Sequence, residues 1–146
     1  MIKLKLSDYL ARATRKQAFD VYYSMDNEDL AYAFPRSFSK EEAKKKLCAC
    51  ALGAIYEEAV DIPDMPFNFS DVGLKIRKIF PELNDYITTR EVYIKSGLSE
   101  LEQCTLKNLL PFDVDELSIY NLITMLNDKL RLDFKRISLI LKNIGY

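Results

Sequence analysis

No histidine occurs among the 146 residues. The usual general base at neutral pH, the commonest transition-metal ligand and every Ser/His or Cys/His catalytic arrangement are therefore missing. Glu, Asp, Lys and Tyr can still move protons when burial shifts them, but the expectation is a protein that is not an enzyme. Long apolar runs are absent too: none approaches the roughly 18 residues of a membrane span. The first residues also lack the charged, apolar and small-residue succession of a secretory signal, so the expected setting is the cytoplasm, with no membrane partner. Glycine is sparse, and Gly53, Gly73, Gly97 and Gly145 stand singly, which leaves no glycine-rich phosphate loop. Cys48, Cys50 and Cys104 are an odd number of cysteines without an export signal and imply reduced thiols. Neither charge is in excess: the formal net charge is -1, so the chain generates no general attraction to a phosphate backbone. The basic clusters Arg12, Arg15, Lys16 and Lys44, Lys45, Lys46 sit near Asp20, Glu41 and Glu42 and read as solvated helix faces. A nucleic-acid partner is not expected.

What is present is a globular composition. Hydrophobic residues make up 49% and charged residues 29% of the chain, and a domain of this length typically hides about 70% of the surface it exposes when unfolded. One core is enough, and with no Gly/Ser-rich linker residues 1–146 read as a single domain.

The opening MIKLKL alternates apolar and basic residues and reads as a strand over 2–6, with 90–95 as its counterpart. Ser7 is placed to cap a helix over 8–22. Ser39 with Glu42 is a capping box for a helix over 40–59, whose stripe is Ala43, Leu47, Cys50, Ala51, Ala54 and Ile55. Ser70 and Asp71 start a short helix carrying Val72, Ile76, Ile79 and Phe80, which Pro81 ends. At 88–96 two readings compete: a strand, or a helix capped by Thr88 with Glu91 and stopped by Gly97. Ser99 with Glu102 is a second capping box, for a helix over 100–110 with Leu101, Cys104, Thr105 and Leu109 inward. Asp113 caps a helix over 114–127 that is apolar nearly all round and so central. Asp133 opens a last helix, with the stripe Phe134, Ile137, Ile140, Leu141 and Ile144, ended by Gly145. Leu-Asn-Asp recurs at 83–85 and 126–128; a tripeptide is too short to establish a repeat, and both copies read as turns.

Three places are candidate sites. Cys48 and Cys50 point about 200 degrees apart on a helix and cannot grip one metal ion. With no histidine to complete a ligand set, neither metal nor cofactor is expected. Cys50, Gly53 and Ala54 instead form a low-profile helix face for close packing, since an interior glycine costs about 1 kcal/mol relative to alanine. Either the core or an interface can press on Gly53. In the turn LNDKLRLD, an amide, a carboxylate and a cation (Asn127, Asp128, Arg131) lie between two helices and are the candidate polar binding contacts. The same composition serves helix-to-helix turns without any function. In DIPDMPFNF, Met65, Phe67 and Phe69 are a candidate self-association patch.

LCACALGAIYEEA at 47–59 and LNDKLRLDFKRISLILKNIG at 126–145 together resemble an uncharacterised family of small bacterial and bacteriophage proteins. Its members carry a Cys-Ala-Leu-Gly-Ala-Leu-like helix and an Asn-Asp turn followed by an amphipathic helix. Cys50, Ala51, Leu52, Gly53 and Ala54 match the helix, and Asn127 and Asp128 match the turn. Met125 and Leu126 precede that turn where the family suggests tryptophan, and the chain has none. The resemblance implies a small helical intracellular protein with a phage connection, located in the host cytoplasm if phage-encoded, and it assigns no reaction.

The expected fold is mostly α, a single domain of five to seven helices with the strand pair 2–6 and 90–95 as an optional addition. The expected function is that of a non-catalytic accessory protein that binds another macromolecule, a protein partner first. The alternatives are a self-associating structural subunit such as a virion component, and a protein that sequesters a small nucleotide-like or metabolite ligand.

Overall fold

The computed structural model describes residues 3–25, 47–60 and 72–146. In chain order these form α1 (Leu6–Ala11), β1 (Tyr23–Met25), β2 (Leu47–Ala49), α2 (Ala51–Val60), α3 (Val72–Ile79), a 3-10 turn (Pro81–Asn84) and β3 (Tyr86–Thr88). They continue with α4 (Thr89–Lys95), α5 (Glu100–Leu109), β4 (Glu116–Ser118), α6 (Ile119–Asp128) and α7 (Phe134–Asn143). The described chain is mostly helical and shares one hydrophobic core. Among the described residues no helix is long and apolar enough to cross a membrane.

α6 buries one face in the core, while Tyr120, Thr124 and Met125 are half-buried and Asn121 is exposed, so its apolar pattern is only partly enclosed. Ile119, Leu122, Ile123 and Leu126 are fully buried, and α6 packs against α2, α7 and the 3-10 turn. The last helix closes the fold onto the first. Gly145, at φ +99°, donates its amide to Lys142 O, while the Tyr146 amide reaches back to Leu141 O at 2.8 Å, a paired C-terminal closure that only a left-handed residue permits. Tyr146 O then accepts from the Ser7 amide at 3.0 Å, and the Ser138 hydroxyl donates to Ser7 O at 2.7 Å.

β3 and β4 pair antiparallel, Ile87 opposite Leu117, and each runs straight into a helix. Thr88 Oγ1 accepts from the Glu91 amide and Ser118 Oγ from the Asn121 amide, so a hydroxyl caps each helix. The first amides of the two helices also cross over: Thr89 N donates to Asp115 O and Ile119 N to Asp85 O, both at 2.9 Å. Four orphan helix-end donors are thereby satisfied in a local two-fold pattern.

Several expectations are corrected. The strand pair 2–6 with 90–95 does not form: Leu6 begins α1 and 89–95 is α4, which decides 88–96 as helix, with Gly97 left-handed at φ +82°. Two other short pairs form instead, β1 with β2 and β3 with β4. The first helix covers 6–11 rather than 8–22, with Ser7 inside it and Lys5 at its N-cap. The helix expected over 40–59 begins only at Ala51, because Leu47–Ala49 pairs as a strand with Tyr23–Met25; its capping box, Ser39 and Glu42, lies outside the described residues. Likewise α3 ends at Ile79 and α5 at Leu109, and Asp113 caps nothing because Ser118 opens α6. Asn127 and Asp128 are the last residues of α6, not a turn. In α5 the stripe of Leu101, Cys104, Thr105 and Leu109 is exposed and Leu106 is the buried residue.

Candidate ligand-binding cavity

A cavity of about 470 Å³ opens where α6, the start of α2 and the segment before β1 meet. The spacing of α6 puts Tyr120, Ile123, Thr124, Asn127 and Asp128 on one wall. Cys50 and Leu52 supply the second wall, and Asp20, Val21, Tyr22 and Tyr23 the third. The volume lies in the range of small-molecule sites, and the lining is mostly apolar and aromatic with a few polar groups, as such sites require.

Asn127 holds the three walls together. It is 1% exposed, and its Oδ1 accepts from Gln17 Nε2 at 2.8 Å and from the Ala51 amide at 3.0 Å. Its Nδ2 donates to Ala18 O at 2.9 Å and to Asp128 Oδ1 at 2.6 Å. Both lone pairs of the oxygen and both amide hydrogens are thus engaged. Asn127 caps α2 from another helix and positions the wall, leaving no capacity for a ligand.

Cys50, the residue before α2, contributes the second cap: the Gly53 amide donates to Cys50 Sγ at 3.3 Å. Burial pushes the Cys50 thiol up to about 11 despite that amide, so it is a neutral thiol at pH 7 and a poor nucleophile. Gly53 is the close approach the sequence implies, and its neighbour is the core. A Cβ there would stand 2.5 Å from Tyr22 O and 3.2 Å from the Tyr23 ring, and the Tyr23 hydroxyl donates to Gly53 O at 2.7 Å. Ala54, beside it, is also buried.

The tyrosines are fixed with their hydroxyls engaged. Tyr22 and Tyr120 share a hydrogen bond between their hydroxyls, and the Arg77 guanidinium lies 3.8 Å from the Tyr120 ring centre. Burial, reinforced by that hydroxyl contact, raises the Tyr120 pKa, and burial raises that of Tyr23. Both are neutral at any physiological pH.

The polar end of the cavity is acidic. Asp128 Oδ1 accepts from the Asp20 amide at 2.9 Å as well as from Asn127, and Asp20, an exposed residue of the wall formed by 20–23, adjoins it. Arg131 stands outside the lining, 60% exposed, with its guanidinium 4.6 Å from the Phe19 ring centre and 3.9 Å from Asp20 Oδ2. Asp20 and Arg131 are the non-glycine residues with left-handed backbone among the described residues, at φ 65° and 53°, and they face each other here. Such backbone persists only where the surroundings enforce it. Among the described residues no group of three or more acidic or sulfur side chains is arranged to hold a metal ion.

Of the expected site residues, Asn127 and Asp128 belong to this cavity and Arg131 flanks it. Cys50 lines it, while Gly53 and Ala54 lie behind. Sequence reasoning missed Asp20, Tyr22, Tyr23 and Tyr120, and the helix it drew over 8–22 hid the fact that Asp20 and Tyr22 lie in the non-helical segment leading into β1. No family model, curated protein or solved structure matches the chain. These comparisons neither support nor oppose the likeness drawn from residues 47–59 and 126–145.

Proposed function

We propose that the protein binds a small organic cation, an amine or guanidine on an aromatic or aliphatic body, in the cavity between α6, α2 and the segment Asp20–Tyr23. The observation that carries this reading is the composition of that cavity, in which tyrosine and aliphatic walls include two acidic residues, Asp20 and Asp128, beside each other. Tyrosine faces attract cations, and a partly desolvated carboxylate strengthens the attraction. The same carboxylates repel a phosphate, so a nucleotide is the less fitting form of the small-ligand reading.

Calorimetric titration with 2-phenylethylamine and with 3-phenylpropanoate, similar in size and opposite in charge, tests it. Binding of the amine alone is expected, weakened about tenfold by Asp128→Asn, the loss of one charge-assisted contact. Equal binding of the acid, or no binding of the amine, would count against the reading.

A second reading, an accessory protein that acts by binding another macromolecule, is favoured by a different observation: the outward apolar face of α5.

A further inference from the structure

The stripe of α5 that its spacing marks for burial is turned to solvent. Leu101 is 78% exposed, Leu109 42%, and Phe112 just beyond the helix is fully open; Cys104 and Thr105 between them are exposed as well. This orientation is held by contacts on the other side of the helix. Leu106 is buried in the core, Gln103 Nε2 donates to Tyr93 O and Leu98 O, and Arg136 Nη2 reaches Glu102 Oε1 at 2.5 Å. The stripe therefore cannot roll inward without breaking them. At its C-terminal end it runs into a groove of about 420 Å³ whose apolar wall includes Tyr86, Leu109, Pro111, Val114 and Leu117.

The charges about this face are acidic. Glu100 begins the stripe, Asp113 follows Phe112, Glu116 lines the groove and Asp115 precedes it in the chain, all four exposed. Lys107, the basic residue of α5, has its ammonium over the Tyr93 ring at 4.8 Å to the centre. A contiguous apolar strip with acidic margins complements an amphipathic helix that carries Lys or Arg beside its apolar face.

Resting on the second reading above, we propose that the α5 stripe and the groove after it dock a basic amphipathic helix of a protein partner. Leu101, Leu109 and Phe112 supply the apolar contact, and Glu100, Asp113, Asp115 and Glu116 supply the charge selection. The face lies apart from the tyrosine-walled cavity; α6 separates the two, with Thr124 bordering both.

Cys104 lies within the stripe and is exposed, whereas Cys48 and Cys50 are buried, so its reaction with a thiol reagent reports on this face. The rate is measured on the full chain with a synthetic Leu/Lys amphipathic helix, LKKLLKLLKKLLKL, and with its counterpart carrying Glu in place of Lys. The expected result is slowing of at least tenfold at saturating Leu/Lys peptide, none with the Leu/Glu peptide, and loss of protection in Leu109→Ser and Phe112→Ser, both exposed positions whose change leaves the core intact. Protection by neither peptide overturns the proposal, while the reading of a macromolecule-binding protein then rests on partners other than a basic helix. Equal protection by both overturns the charge selection while leaving a docking face. Protection that survives both substitutions puts the contact elsewhere and overturns the proposal, and so does a dimer in which Cys104 is already shielded, since a second copy would then be the occupant.

Discussion

Asn127 and Gly53 show how much of this fold depends on single side chains. Asn127 links α6 to the backbone at Ala18 and Ala51 and to Gln17, so that three separate chain segments depend on one amide. Gly53 depends on a missing atom. For Gly53→Ala a loss of about 2–3 kcal/mol is expected, because the added methyl meets the rigid Tyr22 carbonyl, whose removal would also break its bond from the Cys50 amide. Urea denaturation of the variant measures it; a change below about 0.5 kcal/mol, as for an ordinary surface site, would contradict the packing described. The close approach at Gly53 follows in the sequence from the cost of a glycine inside the longer helix expected there, although the helix begins only two residues earlier. Its neighbour was not legible, because Tyr22 and Tyr23 arrive from a segment about thirty residues away along the chain and no local pattern encodes that pairing.

At the scale of elements, part of what the sequence states locally survives, although Ser7 and Asp113 do not cap the helices expected after them. The capping pairs Thr88 with Glu91 and Ser99 with Glu102 each start the helix they announce, as does Asp133. Other failures are where a distant partner decides. Leu47–Ala49 has helical spacing yet pairs with Tyr23–Met25, and α5 has an inward stripe by periodicity yet is turned by Glu102, Gln103 and Arg136. The Glu102–Arg136 pair joins α5 to α7 and makes a pH prediction. Burial works to raise the Glu102 pKa, but the Ser99 amide and hydroxyl and the Arg136 guanidinium outweigh it and hold the carboxylate below its ordinary 4.5. The folded state thus gives up this proton more readily than the unfolded chain. The resulting stability is complete above the ordinary value and is lost as pH falls through the lowered one. Glu102→Gln is expected to cost about 1 kcal/mol at pH 7, a figure reduced for the partial exposure of Arg136, and to leave the melting temperature less dependent on pH between 6 and 3 than in the wild type. Parallel pH profiles of the two proteins would contradict it.

The whole molecule combines a helical core that its apolar periodicity announces with a cavity that it does not. Composition, the central position of α6 and the mostly helical class were readable from residue types alone. The cavity was readable only in part: Asp128 was singled out, but Asp20, Tyr22 and Tyr120 become neighbours only when the chain before β1 folds across α6. That closure brings two acidic residues and three tyrosines around one volume, and it is the basis for assigning an organic cation to it. The most direct measurement is a ¹H–¹⁵N NMR titration of the full chain with 2-phenylethylamine. Saturable shifts centred on Asp20–Tyr23, Cys50–Leu52 and Tyr120–Asp128 are predicted, and shifts confined to α5 and the groove beside it, or none at millimolar amine, would contradict the account.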